Sequence, residues 1–311
     1  MNFFTKVNIE RSKLSISHAD NIILIGSCFT DEIGAKFEQN GFSILKNPLG
    51  ILYNPLSISV CLNHIADKSF LIEDDLIKSG EYYYAFSFHG DYRGETKQEC
   101  LQKINDAILS ANNFLQKTTC LVITLGSAWT YWYRPLNYLM GNCHKISSNL
   151  IERKILSIEQ ICKALGDTIQ KIQSINKQIK IILTISPVRH IREGLYDNHI
   201  SKSTLTLAVD KLINDKTNDI AYFPSYEIVM DELRDYRFYA KDMIHVNETT
   251  VDYIWERFSQ TFFSEETLIL NEKYYKLYLM KNHRPLNPQS VGYKKHLEKI
   301  RLLKEELNKL S

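Results

Sequence analysis

The sequence predicts a doubly wound α/β protein in which a mainly parallel sheet lies between helices in three layers, α/β/α. Three short apolar runs are rich in β-branched residues, are nearly continuous rather than alternating, and end in glycine, serine or proline. These runs are NIILIG (21–26), CLVITLG (120–126) and IKIILTISP (179–187). Continuous apolar runs of this length are typical of parallel strands that helices cover on both faces.

Helical patterns alternate with these strands along the chain. They cover Asp31–Gln39, Lys97–Leu115 and Ile158–Ile175. In the last pattern, isoleucine and leucine recur at helical spacing, Ser157 is the predicted N-cap, and Gln160 completes a capping box. A weaker fourth strand is predicted at 220–228. Such alternation predicts right-handed crossovers and ligand binding outside the carboxyl ends of the strands.

The pattern changes near residue 263, and we predict a core domain over residues 1–263 and a helical extension over 264–311. HRPLNP (283–288) divides the extension into two helices. The final segment, Tyr293–Leu310, is rich in lysine and glutamate and carries a stripe of leucine and isoleucine. This stripe predicts an amphipathic helix that packs on the core or on a partner.

The composition excludes several classes of protein. Lysine and arginine number 38 and aspartate and glutamate 36, so the net charge is +2 and gives no reason to expect nucleic acid or an anionic membrane as partner. None of the six cysteines forms a CxxC motif. The sequence shows no signal-peptide pattern and no apolar run of ~18–20 residues. We therefore expect a cytoplasmic protein with free thiols and without a metal or cofactor, and leave a homo-oligomer open.

Two groups of residues point to acid–base and nucleophilic chemistry. Ser27 and Cys28 follow the first strand directly, and Asp242 and His245 lie three residues apart just before a helical pattern. In a tight turn, such a carboxylate fixes the tautomer of the imidazole and stabilises its charged form. The imidazole then accepts a proton from a nucleophile that another part of the fold supplies.

Several further segments support this interpretation. They are GSCFT (26–30), NPLGILYNPLSI (47–58), TLGSAW (124–129), NCHK (142–145), SPVRH (186–190), YFPSYEIVMDELRDYRFYAKDMIH (222–245) and HRPLNP (283–288). Together they resemble the GSCFA family, an SGNH-like (GDSL-type) hydrolase family, over nearly the whole chain. The resemblance implies an SGNH-hydrolase, flavodoxin-like fold. It also implies a hydrolase or acyltransferase that acts on a small-molecule ester, with an acylated carbohydrate as one candidate.

The resemblance also assigns the nucleophile. When the superfamily's Gly-Asp-Ser is aligned on Gly26, Cys28 takes the position of the nucleophilic serine and Ser27 that of the aspartate. We expect the helix N-terminus and a neighbouring imidazole to lower the pKa of the Cys28 thiol, and Cys–His pairs support acyl transfer. The alternatives are Ser27 as nucleophile, or Cys28 as a small buried apolar residue.

Other family-like positions are candidates for oxyanion or substrate binding. Gly50 corresponds to the superfamily's second-block glycine, with an ordinary turn glycine as the alternative. The third-block asparagine is replaced by Ala128, and Asn54, Ser127 and Asn198 are candidates to take its place, between which the sequence does not choose. Trp129 is expected to shape the pocket wall. Arg189 is expected to bind a carboxylate or phosphate, or to form a salt bridge that fixes its loop. His89 and His190 complete this group.

Two other functions are compatible with the same sequence. The loss of the superfamily's asparagine and aspartate also suits a non-catalytic module that keeps the cleft to bind a ligand. The terminal helix also suits a protein–protein adaptor.

Overall fold

The computed structural model describes residues 4–192, 194–215 and 220–310. The strands in this part of the chain are β1 (Asn21–Gly26), β2 (Ser43–Lys46), β3 (Leu76–Ser79), β4 (Tyr82–Ala85), β5 (Cys120–Leu125), β6 (Trp129–Tyr133), β7 (Tyr138–Met140), β8 (Ile151–Ile155), β9 (Lys180–Ile185) and β10 (Ile220–Phe223). The helices are α1 (Cys28–Gln39), α2 (Pro55–Asp67), α3 (Lys97–Leu115), α4 (Ile158–Ile175), α5 (Leu195–Ile213), the single turn α6 (Ser225–Glu227), α7 (Glu248–Phe262), α8 (Glu265–Asn282) and α9 (Val291–Leu310).

The central sheet has five parallel strands in the order β10-β9-β5-β1-β2. Its register places Gly26, Thr124, Thr184 and Phe223 in one row across four of the strands. The carboxyl ends of these strands are therefore level, and the segments that follow them meet along one edge. The doubly wound parallel sheet predicted from the sequence is confirmed.

Helices cover both faces of this sheet. Ile23 and Ile25 of β1 pack in a core that contains residues of α2, α3, α4 and α5. Ile22 and Leu24 point the other way, into a core that contains residues of α1 and α7. Because side chains alternate along a strand, a continuous apolar run serves both cores at once. The predicted three-layer arrangement is confirmed.

The predicted helix limits hold where local signals set them. α3 and α4 have the predicted bounds, and Ser157 and Gln160 form the predicted capping box with bonds of 3.2 and 2.9 Å. α1 begins at Cys28, three residues before the prediction, because Ser27 is already the extended N-cap. The weak fourth strand is shorter than predicted, since Pro224 ends β10 and a helical turn follows.

A second sheet was not predicted. β6 pairs with β7 and β8 in an antiparallel sheet, and β3 pairs with β4 in a hairpin. The aromatic run WTYWY (129–133) is β6, which begins four residues after β5 ends. Because aromatic residues are enriched in strands, this run alone was enough to predict a strand here. The second sheet brings Trp129 close to the carboxyl edge of the central sheet.

The C-terminal segment forms the two predicted helices, with the break between Asn282 and Val291. α9 packs against α8, where Leu307 is buried and Lys273 forms an ion pair with Glu306 at 2.6 Å. α9 thus packs against the helix next to it in sequence, with Leu307 of the stripe buried and Leu297 exposed. The division into a core and an extension at residue 263 stays a prediction.

Within the described ranges, every helix lacks the length or the hydropathy that crossing a membrane demands.

Candidate active site

The turn after β1 depends on a glycine. Gly26 has φ +143°, and a Cβ there would lie 2.1 Å from the backbone oxygen of Thr124. Its N–H donates to Asn47 Oδ1 at 2.9 Å, and Asn47 Nδ2 donates to Asp31 Oδ1 at 2.8 Å. Only glycine fits this conformation without strain. The chain therefore leaves the sheet along one fixed path into α1.

Ser27 and Cys28 sit at this turn in different environments. Ser27 is 1% exposed, and its Oγ has no hydrogen-bond partner in the described part of the chain. Cys28 is half-buried in the first turn of α1. Burial raises the pKa of the Cys28 thiol, although the backbone N–H of Phe29 acts in the opposite direction; the nearby Asp31 raises it further. The expected lowering of this pKa was wrong, because desolvation outweighs the helix N-terminus.

Asp242 and His245 form a closed, hydrogen-bonded turn. Asp242 Oδ2 lies 2.7 Å from His245 Nδ1, and Oδ1 accepts the N–H groups of Ile244 and His245 at 2.9 and 3.0 Å. The bond to His245 is the first cause that lowers the pKa of Asp242 to about 2. An ionised carboxylate only accepts, so Nδ1 carries the proton in the neutral form of the imidazole and Nε2 is then the acceptor nitrogen. The side chains are 47% and 51% exposed.

The turn reaches the same edge of the sheet as Cys28. Arg189 follows β9, and its guanidinium lies 5.3 Å above the ring of Tyr239, which pairs with Val246 across the turn. Among the residues that the structure describes, no hydrogen bond joins His245 to Cys28 or Ser27. Both groups thus border the carboxyl ends of the strands without touching each other.

A buried lysine that the sequence did not predict lies at the ends of β5 and β9. Lys202 of α5 is 2% exposed, and its Nζ donates to the backbone oxygens of Gly126 and Ser186 at 2.8 and 2.6 Å. These residues directly follow β5 and β9. Burial lowers the pKa of Lys202 to about 7, against the attraction of Cys28 and Glu227. The sequence held one signal for this residue: Lys202 lies on the same helical face of α5 as the buried residues Asn198, Ser201, Leu205 and Ala208.

A cleft of about 240 Å³ opens beyond the end of β5, where Ser127 and Trp129 follow the strand. Tyr53, Trp129 and Tyr131 supply its aromatic walls, and Asn54, Asn142, Ser127, His190 and Arg192 supply its polar groups. Burial raises the pKa of Tyr53 to about 12, and the nearby Cys28 and Asp31 contribute to this rise. Tyr53 therefore lines the cleft and lies near Cys28. Four of the predicted binding residues, Asn54, Ser127, Trp129 and His190, line this cleft.

Backbone donors near the cleft are engaged in structural bonds. The N–H groups of Gly126 and Ser127 both donate to the backbone oxygen of Tyr53, at 2.8 and 2.9 Å. Asn54 Oδ1 caps α2 by accepting the N–H of Ser57 at 2.8 Å. These bonds hold the loop before α2 against the end of β5.

Gly50 and His89 lie against each other and not in the wall of the cleft. Gly50 has φ +84°, and a Cβ there would lie 2.1 Å from His89 Cβ. Its N–H donates to the backbone oxygen of Asn47 at 2.8 Å, within a turn. His89 Nδ1 lies 3.1 Å from Asp91 Oδ2. Gly50 therefore serves the turn in this structure, which was the alternative that the sequence left open.

Trp129 is held as a rigid wall. The guanidinium of Arg153 lies 3.5 Å from the centre of its ring, and its Nε1 donates to the backbone oxygen of Asp197 at 3.2 Å. Arg153 also pairs with the Asp197 carboxylate. His190 contacts the ring of Tyr53 edge-on at 4.7 Å, and both side chains line the cleft.

Arg189 points away from this cleft. It borders a separate cavity of about 150 Å³ together with Arg234, Tyr236 and Tyr239. Across the described ranges it forms no salt bridge, and its Nε has no hydrogen-bond partner. Its contact with Tyr239 instead ties β9 to the segment that leads into the Asp242–His245 turn.

A larger cavity lies elsewhere in the molecule. It measures about 480 Å³ and is bordered by α1, α7 and α8, with Asn40, Trp255 and Asn271 in its wall. Asn40 caps the end of α1 opposite Cys28, about 18 Å along the helix. Within residues 4–192, 194–215 and 220–310, no three His, Cys, Asp or Glu side chains are placed to hold a metal ion.

The fold and this edge define a doubly wound α/β protein with a strand-end cleft, a half-buried cysteine and an Asp–His pair. The chain belongs to the GSCFA family, whose family model matches residues 21–258. The match begins at the first residue of β1 and ends inside α7, so it contains both Cys28 and His245.

The comparison with solved structures gave a distant likeness to a crystal structure of a serine-to-alanine mutant of an acetyl esterase with an acetate ion. The identity is 8%, the TM-score is 0.36, and the match covers 76% of this chain and 93% of the other. A likeness at this level carries no argument about activity. The search of curated proteins gave no significant match.

Proposed function

We propose that this protein is a hydrolase or acyltransferase that forms an acyl-enzyme on Cys28. The observation that carries the proposal is the bond of 2.7 Å between Asp242 and His245, which orients an imidazole at the edge of the sheet where Cys28 lies. On this proposal, the chain is an SGNH-type hydrolase with a cysteine at the position of the superfamily's serine.

The chemistry assigns one role to each group. His245 Nε2 takes the proton of the Cys28 thiol, and the sulfur attacks the carbonyl carbon of the ester. The imidazolium then returns the proton to the leaving alcohol oxygen, and Asp242 stabilises the imidazolium while it exists. Water or an acceptor hydroxyl finally cleaves the thioester. Because His245 and Cys28 do not touch, a bridging water or a movement of the turn on substrate binding completes the pair.

The oxyanion of the tetrahedral intermediate needs donors other than Gly50, Gly126 and Ser127, whose N–H groups are engaged. The first N–H groups of α1 and the Asn54 amide nitrogen are our candidates. The helix N-terminus offers N–H groups without intrahelical partners and a favourable dipole at the sulfur itself.

The cleft supports a substrate with a sugar-like ring. Its 240 Å³ and its aromatic walls suit a compact ring with apolar faces, and the amides of Asn54 and Asn142 suit hydroxyl groups at its edge. An acylated carbohydrate combines these features with an ester carbonyl.

The test is trapping of the acyl-enzyme. The protein is mixed with an activated acetyl ester, quenched in acid, and examined by intact-mass and peptide mass spectrometry. We expect one acetyl group on the peptide that contains Cys28. Cys28→Ala should abolish it and Ser27→Ala should keep it. Cys162→Ala is the matched control, since Cys162 is another half-buried free thiol, on α4. An adduct that persists in Cys28→Ala, or full turnover in His245→Ala, would contradict the proposal.

One observation favours the second candidate, a ligand-binding module without catalysis. The pKa of the Cys28 thiol is raised by burial, and the N–H groups at the end of β5 are engaged. For a binding module we expect no acetyl adduct and a Cys28 thiol that stays inert to iodoacetamide near neutral pH. A saturable affinity for unreacted sugar esters would then remain.

A further inference from the structure

The cavity of about 480 Å³ between α1, α7 and α8 has no role in the proposed chemistry. Its volume falls in the range of small-molecule sites. Two helices supply most of its wall at helical spacing, with Trp255 and Ser259 from α7 and Asn271 and Tyr275 from α8. Because residues four apart lie on one face of a helix, one continuous face of each helix lines the cavity.

Two polar side chains in this wall are buried without a partner. Ser259 and Asn271 are each 6% exposed, and in the described part of the chain Ser259 Oγ and Asn271 Oδ1 have no hydrogen-bond partner. Buried polar atoms are normally hydrogen-bonded, because an unpaired one is unfavourable. A carbonyl oxygen only accepts, so Asn271 indicates a ligand that brings an N–H or O–H group of its own.

The charged groups of the wall favour a cation as ligand. Among the described residues, the carboxylates of Asp252, Glu256 and Glu272 border the cavity together with one cation, Lys36. Lys36 is already paired with Asp252. Glu256 accepts a hydrogen bond from Gln260 at 2.9 Å, and Glu272 forms no ion pair with any described residue. Two carboxylates of the wall are therefore not balanced by a positive charge, and an ammonium group complements them.

Trp255 gives the cavity a fixed aromatic surface. The rings of Phe37 and Phe263 contact its indole edge-on, with centroids 4.8 and 5.5 Å apart, and the side chain is still partly exposed. Tyr275, which is 40% exposed, adds a second ring from α8. The face of an aromatic ring attracts a cation, and that of tryptophan does so most strongly. Aromatic rings beside unbalanced carboxylates therefore favour an organic ammonium ion.

We propose that this cavity is a second ligand site, which binds an organic amine with an aromatic ring. The ammonium group of the ligand donates to Glu256 and Glu272, the ring packs on Trp255, and a further N–H or O–H group donates to Asn271. Binding is non-covalent. The site lies at the end of α1 opposite Cys28, about 18 Å along the helix. It is therefore separate from the strand-end cleft and does not depend on the proposed function.

The experiment is calorimetric titration of the full chain with tryptamine, with the neutral analogue tryptophol and with the anionic analogue indole-3-propionate. The three compounds share the indole ring and differ in the charge of the side chain. At low salt we expect a Kd of about 0.5 mM or lower for tryptamine and about tenfold weaker binding of tryptophol. Indole-3-propionate should not bind measurably. Equal affinities for the three compounds, or no binding of tryptamine up to about 10 mM, would overturn the proposal.

An exposed carboxylate locates the charge that the ligand recognises. Glu272→Gln should weaken tryptamine binding by about three- to fivefold and change tryptophol binding by less than about twofold. Glu265→Gln is the matched control, because Glu265 is also exposed on α8 but does not line the cavity. We expect it to leave both affinities unchanged. Since Glu272 is exposed, its variant keeps the fold, and circular dichroism checks this.

A buried variant separates a binding role from a structural one. Asn271→Leu should weaken tryptamine binding by at least about tenfold without lowering the free energy of unfolding, because it removes a polar atom that has no partner. Cys28→Ala should bind tryptamine as the wild type does. Unchanged affinity in both Glu272→Gln and Asn271→Leu, or lost affinity in Cys28→Ala, would place the amine elsewhere and overturn the proposal. The acetyl-trapping assay reports separately on the proposed function.

Discussion

The ionisable groups on the two sides of the candidate active site lie in opposite environments, one exposed to solvent and one buried. On the outer side, Asp242 and His245 are about half exposed and are joined within one turn. On the inner side, Cys28 and Lys202 come from different helices and the ammonium is 2% exposed. Hydrogen bonds maintain the outer charges, whereas burial opposes the inner ones.

The pKa values of the two sides show what this difference means. The outer bonds lower the pKa of Asp242 to about 2, so its carboxylate is ionised at every physiological pH. On the inner side, burial lowers the pKa of Lys202 to about 7 and raises that of Cys28. The Asp242 carboxylate therefore orients the imidazole as an anion throughout this pH range. On the inner side, burial favours the neutral form of both Lys202 and Cys28. Four predictions test this contrast.

The largest effect on stability is expected at Gly26, in the turn that leads from β1 to Cys28. Gly26→Ala should lower the free energy of unfolding by about 3–5 kcal/mol, because the new Cβ meets the Thr124 backbone oxygen in a conformation that favours glycine. Gly80→Ala is the matched control, since Gly80 also has a positive φ but nothing within 4 Å. We expect it to cost about 1 kcal/mol. Denaturant unfolding measures both, and equal losses would refute the special role of Gly26.

The outer side should be broken by a change of one atom. Asp242→Asn keeps an oxygen for the backbone bonds but no longer supplies the charge that fixes the imidazole, so the rate of acetyl-enzyme formation should fall about a hundredfold. Asp235→Asn is the control, because Asp235 also accepts a backbone N–H, at 2.8 Å from Arg237, without an imidazole partner. Stopped-flow or quench measurements decide, and a similar loss in both variants would contradict the assigned role.

The inner side should be visible in the pH dependence of stability. The pKa of Lys202 is about 7 in the folded protein and 10.5 when exposed, so between these values the unfolded chain binds more protons. Stability therefore rises with pH in this window, by about 2 kcal/mol from about pH 7 to about pH 9. Lys202→Met should lose this rise, and the exposed Lys163→Met should keep it. Parallel slopes in all three proteins would exclude the buried charge.

The smallest effect is expected in the wall between the two sides. Arg153→Met removes the cation above Trp129, and we expect KM for a cleft-binding ester to rise by about fivefold, equivalent to about 1 kcal/mol. Lys154→Met removes a similar contact, 5.3 Å from the ring of Trp132, which does not line the cleft. Its KM should stay within about twofold of the wild type, and a shared rise would mean that the whole second sheet had shifted.

The same contrast separates what the sequence predicted from what it did not. The capping box at Ser157, the limits of α3 and the location of the Asp242–His245 pair before α7 were read correctly, since each depends on residues within a few positions. Lys202 was missed, because its partners are carbonyl groups at the ends of two distant strands. The pKa of Cys28 was predicted in the wrong direction, because its burial depends on packing between distant segments.

The sequence alone determined that strands and helices alternate, where the parallel strands lie, and which residues could carry chemistry, since apolar periodicity, caps and short motifs are local properties of the chain. Only the tertiary structure decided that Tyr53 lines the cleft near Cys28, that Gly50 serves a turn, and that the buried Lys202 bridges the ends of β5 and β9. The physical reason is that desolvation and charge pairing depend on which surfaces meet, and these surfaces come together only when the crossovers bring distant segments to one edge of the sheet.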